Sequence, residues 1–251
     1  MHHNIEYYRK INDAYKSGSK KQTELHALQK RIQNDFLKTV NWELVTIGDR
    51  TQELLVMKST DEKIKKIEAR PNERLRLGEI VLWHGIQWLI TKLDYDNQIQ
   101  YAGVMTQCNL ILRWQLDDLS THVEFAVAED ATKYGTGVKD TSYIQMGEFS
   151  IKAKVQMNKH TLALKRDRRF LIGENTIGAK PTAYVLSRIN QVTGSYMTAD
   201  TDSGEQENYG YIELTLLEDV FREERDNAEL WLADYVAPDS DGGQTGGDEL
   251  W

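Results

Sequence analysis

Between Ile5 and Lys38 the apolar residues recur at helical spacing. Ile5, Tyr8, Ile11 and Tyr15 form one short stripe, and Leu25, Leu28, Ile32 and Phe36 form a second, with charged residues between them. Steps of three and four place such positions on one face of an α-helix. Ser17-Gly18-Ser19 interrupts the pattern, so the spacing predicts two amphipathic helices or one broken helix. Thr23 stands where the second run needs an N-terminal cap.

From Asn41 the period shortens to two. Trp42, Leu44, Val45 and Ile47, then Leu54, Leu55 and Val56, flank Gly48-Asp49 and predict a hairpin. Leu75, Leu77, Ile80, Leu82, Trp83, Ile86, Trp88 and Ile90 fall in short runs broken at Gly78 and His84-Gly85. Thr91 to Tyr101 reads as strand, polar turn and strand, and Val104 to Gln115 as one further strand. A second β region follows from Val123, with strand-like stretches at 125–127, 143–144, 149–155, 162–164, 170–172, 184–189 and 209–217. Loop signals lie between them at 134–137, 173–175, Gly178, Pro181 and 200–208. Short strands at such intervals predict small barrels or sandwiches.

The expected class is therefore mostly β, small β-barrel or sandwich modules with N-terminal α-helices, α+β overall. The expected division is a helical segment at 1–40, a first β module at 41–120, a second at 121–220 and an acidic, partly flexible tail at 221–251. The runs at Leu77–Leu93 and Arg168–Ile189 echo each other as strand, turn and strand, in pattern rather than in identity.

Charge sharpens this division. The 251 residues carry a formal net charge of −8, which disfavours a generic nucleic-acid binder. Residues 200–251 alone hold 2 basic and 16 acidic side chains, so the acidity belongs to the tail and the preceding chain is slightly basic. Two basic clusters stand out there: Lys58 to Arg70, with Lys63, Lys65 and Lys66, and Lys165-Arg166-Asp167-Arg168-Arg169. They read either as solvated faces or as point-charge contacts to an acidic partner or to DNA, and Lys165, Arg166, Arg168 and Arg169 are the residues chosen for that contact.

No apolar run nears the roughly 20 residues that cross a bilayer, and the opening MHHNIEYYRK lacks a signal-peptide core. No membrane association is expected. The single cysteine, Cys108, has no partner for an internal disulfide.

Catalytic chemistry finds little support. Cys108 sits in a strand pattern with His84 and His122 as bases in number only, so it reads as a small buried residue. His26, His84, His122 and His160 lack ligand spacing, and Asp94-Tyr95-Asp96-Asn97 lacks the glycine and distant glutamate of a calcium loop. Gly135-Thr136-Gly137-Val138-Lys139 has the wrong spacing for a phosphate loop. Neither catalytic residue, metal nor cofactor is expected. Trp231, Tyr235, Leu250 and Trp251 are apolar or aromatic residues in a polar tail, which suits docking on a partner or folding back on the chain's own domain.

Two strings carry a family resemblance: Leu77-Gly78-Glu79-Ile80-Val81-Leu82-Trp83-His84-Gly85-Ile86-Gln87-Trp88-Leu89-Ile90, and Tyr101-Ala102-Gly103-Val104-Met105-Thr106-Gln107-Cys108-Asn109-Leu110-Ile111-Leu112-Arg113-Trp114-Gln115. With Tyr134-Gly135-Thr136-Gly137 and Tyr143-Ile144 they resemble structural proteins of the head–tail joining region of tailed phages and prophages of Gram-positive bacteria. The resemblance covers residues 20–220. It implies a non-enzymatic neck or head-closure connector, a homo-oligomeric ring of six or twelve copies between a portal or adaptor ring and the tail proteins. Such a ring lies close to packaged DNA in the virion and is made in the bacterial host cytoplasm. It brings no catalytic residues with it. Two other classes stay open at this level: a tail or baseplate accessory protein binding a structural protein or host glycan, and an enzyme using Cys108.

Overall fold

The computed structural model describes residues 20–36, 38–94, 99–130, 150–173, 181–199 and 206–237. The first helical stripe, the 134–137 and 143–144 signals, Gly178 and the pair Leu250-Trp251 lie outside the described residues. The chain divides into two compact units. The first holds Met1–Cys108, Val155–Asn158 and Gln191–Ile212; the second holds Asn109–Lys154, Lys159–Asn190 and Glu213–Trp251. This differs from a simple 41–120 and 121–220 succession, because the chain returns twice to its first unit.

The first unit opens with helix α1 (Lys20–Phe36). Thr23 lies within it rather than capping it. Phe36 is buried under the Arg70 guanidinium, 5.5 Å from its ring centre, and Gln29 donates to the Ile99 carbonyl at 3.2 Å. Strands β1 (Trp42–Ile47), β2 (Arg50–Lys58), β3 (Ile64–Ala69), β4 (Ile80–Trp83), β5 (Ile86–Asp94) and β6 (Ala102–Gln107) close into a barrel in the order β1-β2-β3-β6-β5-β4. Gly48-Asp49 turns β1 into β2, and His84-Gly85, both at positive φ, turns β4 into β5. Alternation sends Val45, Ile47, Leu54, Val56, Ile67, Val81, Trp88, Ile90 and Met105 inward.

A second hairpin of this unit joins β12 (Ser195–Ala199) to the first half of β13 (Gln206–Asp219). Its approach to the barrel strands depends on glycine. Gly78 and Gly210 have φ of +81° and +145°, and a Cβ on Gly78 would lie 1.7 Å from the Gly210 carbonyl oxygen. A Cβ on Gly210 would in turn lie 1.9 Å from the Gly194 oxygen. Three glycines distant in sequence thus form a stack that admits no side chain.

The second unit centres on a sheet in the order β10-β11-β13-β9-β8-β7. Its strands are β7 (Leu110–Gln115), β8 (Thr121–Asp130), β9 (Ser150–Gln156), β10 (Arg169–Ile172), β11 (Thr182–Asn190) and the second half of β13. The stretch read as one strand from Val104 to Gln115 is two, β6 and β7, assigned to different units. The expected strand at 162–164 is instead the end of a helical turn, α2 (Lys159–Leu162), and the segment after it. The hairpins β4–β5 and β10–β11 are both present, one inside a closed barrel and the other at the end of an open strand path. The sheet ends β7 and β10 approach each other: the Trp114 and Phe170 rings meet edge to face at 5.9 Å, and Arg168 Nη2 donates to the Gln115 carbonyl.

Residues 221–237 do not form a detached tail. Asp226, Leu232 and Ala233 are buried, and Asn227 and Leu232 pair through both of their backbone groups. The segment is grouped with the second unit, across the boundary expected at 220, and its described part forms a clasp.

Candidate partner-binding sites

The four basic residues of the 165–169 cluster divide by the strand alternation that begins there. Lys165 and Arg166 are exposed. Asp167, at φ +70°, turns the chain into pairing with Leu186. Arg168 is half-buried and reaches the Gln115 carbonyl. Arg169 points inward and is 4 % exposed.

All five guanidinium N–H groups of Arg169 have acceptors. Nε donates to Asp219 at 2.6 Å, Nη1 to Asp226 at 2.7 Å and Asp234 at 3.1 Å, and Nη2 to Asp226 at 2.9 Å and the Val220 carbonyl at 2.7 Å. Burial opposes the charge, but the bonds to Asp226 and Asp219 and the nearby carboxylates outweigh it and hold Arg169 protonated. The same contacts, with the Val220, Arg222 and Asp234 amides, outweigh burial at Asp219 and Asp226 and push both below the usual carboxylate range. Arg169 is therefore removed from the DNA-contact set. A buried guanidinium enclosed by three carboxylates has no donor left for a phosphate.

The aromatic residues of the tail are placed similarly. Trp231 packs with Phe221 against Leu171, Ala183 and Ala233, and its ring edge comes within 3.6 Å of where a Cβ on Gly173 would stand, an ordinary contact distance. The expected docking of Trp231 on another subunit is corrected: its ring fills the face of its own unit. Tyr235 is half-buried, with its amide bonded to the Arg225 carbonyl at 2.7 Å. Gln115 fixes the end of the clasp, donating to the Val236 carbonyl and accepting from the Val236 amide at 2.9 Å each.

A cleft of about 600 Å³ opens in the second unit beside these groups. Trp114, Gln115, Asp117, Asp118, His160, Lys165 and Arg168 are among the residues that line it. Behind it, His122 Nε2 lies 3.1 Å from Glu124, and the His122 ring lies 4.5 Å from Trp114 and 4.3 Å from His160. Spacing of two on β8 puts His122 and Glu124 on one face, a signal present in the sequence. The arrival of His160 from α2 had none. Among the described residues no cluster of three or more His, Cys, Asp or Glu side chains is arranged for a metal.

In the first unit, His84 stacks on Trp83 at 4.3 Å and lies 3.3 Å from Glu43. The Cys108 amide donates to the Gln87 carbonyl. Apolar side chains face outward from the barrel on β1 and β4. Trp42 and Leu44 (59 % exposed) face outward with Thr46, and Thr46 pairs with Leu82, which is also exposed. No described helix is long and apolar enough to cross a membrane.

Comparison with protein-family models finds no match, and comparison with curated proteins finds none. Among solved structures the chain is similar to one described as "MrkH, A novel c-di-GMP dependence transcription regulatory factor", with 8% identity, a TM-score of 0.25 and coverage of 80% of this chain and 85% of that one. At that score the likeness carries no argument.

Proposed function

We propose that this protein is a non-enzymatic structural component of a tailed-phage neck, a ring-forming connector between portal or adaptor and tail. The two strings that carry the resemblance fall on the β4–β5 hairpin with its lead-in and on β6 and β7. The observation that supports the reading best is the outward stripe of Trp42, Leu44 and Leu82 on a barrel whose interior is already filled. Apolar side chains in a row on a closed barrel gain stability when a protein surface covers them, as contacts between ring subunits do.

In this reading six or twelve copies form the ring in the virion. Lys165 and Arg166 lie near the packaged DNA and meet phosphates by charge without reading sequence. Leu250 and Trp251, at the end of the acidic tail, dock on a neighbouring subunit or the adjoining ring. Interrupting the coding sequence tests the role. Filled heads and free tails that fail to join are expected; joined, infective particles would refute it.

A further inference from the structure

We propose that His122 and His160 form a pH-sensitive latch that holds α2 against the sheet and widens the cleft of the second unit on acidification. The latch is independent of the connector role and rests on side chains from three segments of that unit.

The two imidazoles overlap with 4.3 Å between centres and 33° between planes. His122 is fixed on two sides, by the edge of Trp114 and by Glu124, whose side chain is almost wholly buried. His160 completes the stack from α2, where the next residue, Thr161, is fully buried. A neutral ring pair packs well in this position. A charge on His160 is opposed by burial and by Lys159, and the ring is carried on a single helical turn outside the strand ladders.

The charged groups around His160 set the pH at which this happens. From β8 it faces His122 and Glu124, from its own turn Lys159, and from the β7–β8 turn Asp118. Asp117, Lys165 and Arg168 line the rest of the cleft. Burial, then His122 and Lys159, outweigh the two carboxylates and hold His160 below the ordinary imidazole value of 6.5. Above that pH the latch is closed. As pH falls through the lowered value, His160 gains a charge that its surroundings oppose, and α2 swings away from Trp114. The cleft, already lined by Trp114 and Gln115, widens on the side that His160 lines.

Imidazole NMR titration of the full chain from pH 8 to 5, with hydrogen exchange of the 161–164 amides, tests the latch. His160 is expected to titrate below 6.5, and amide protection to fall about tenfold between pH 7.5 and 5 after correction for intrinsic exchange. His160→Phe keeps a ring in the stack without a proton and is expected to keep that protection at pH 5. A His160 midpoint at or above 6.5, or equal protection of 161–164 at both pH values in the unaltered protein, would overturn the proposal, whether or not the variant folds.

Discussion

Arg169 and Asp226 meet as two parallel forks, Nη1 to Oδ1 at 2.7 Å and Nη2 to Oδ2 at 2.9 Å, and the Asp226 side chain has no exposed surface. The pair joins the first residue of β10 to the middle of the 221–237 clasp. Breaking a buried ion pair from one side leaves an uncompensated charge and costs about 3–5 kcal/mol. Asp226→Asn and Arg169→Met are each expected to lower the stability of the second unit by about that amount, read from urea midpoints. A loss below about 1 kcal/mol, the scale of an exposed pair, would contradict the role given to the fork.

The same pair predicts how stability depends on pH. Asp219 and Asp226 titrate below their unfolded value of 3.8, so the unfolded chain binds more protons in that range. Their contribution is complete above the unfolded value and is lost as pH falls through the lowered ones. Asp226→Asn removes part of this slope, and the difference between variant and parent shrinks between pH 6 and 3.

Glu73 in the first unit has the opposite sign. Burial, followed in the same direction by Glu53, raises its carboxyl above 4.5 despite Arg70, so folding favours the proton and the stabilisation fades as pH rises. Glu73→Gln is expected to gain on the parent protein as pH goes from 4 to 7. A constant difference across that range would contradict the raised carboxyl.

Gly210→Ala tests the glycine stack. The residue has φ +145° and a Cβ there would overlap the Gly194 carbonyl oxygen. Backbone strain of this kind costs about 1–3 kcal/mol before the clash is counted. Thermal unfolding of the first unit should shift down accordingly, whereas Gly48→Ala, with a Cβ in open space, should show only the cost of its own positive φ.

Truncation distinguishes the clasp from residues 238–251. Ending the chain after residue 237 keeps the described bonds to Arg169 and Gln115, and the unfolding midpoint is expected to stay within experimental error. Ending it after 220 removes Asp226, Trp231, Asp234 and Val236 together and is expected to unfold the second unit. Under the proposed role, deleting 239–251 is expected to lower the yield of tail-joined particles, since Leu250 and Trp251 go with it. Normal yield would refute their docking.

The barrel is largely legible from the chain. Alternation around Gly48-Asp49 and His84-Gly85 marks two hairpins because the inside of a barrel selects every second residue and a tight turn selects positive φ. The Cys108/Asn109 break is hidden by apolar residues on both sides, since β6 and β7 look like one strand when only local pattern is read. Arg169 looks like its neighbours Arg168 and Arg166 because charge composition does not say which way a strand residue points, and its three carboxylate partners lie 50 to 65 residues away. Trp231 is ambiguous for the same reason. Its pocket is made by Leu171, Gly173 and Ala183, and no spacing near Trp231 encodes them. The outward Trp42 and Leu44 are visible in sequence as an apolar run, but only barrel closure reveals which of Trp42, Leu44, Val45 and Ile47 face water.

The connector role is tested most directly by locating the protein on particles. Gold-labelled antibody against the full chain, imaged by electron microscopy on tailed particles assembled in cells that carry its coding sequence, is expected to mark the junction between head and tail. Label confined to the distal tail tip, or particles that carry none, would contradict the account.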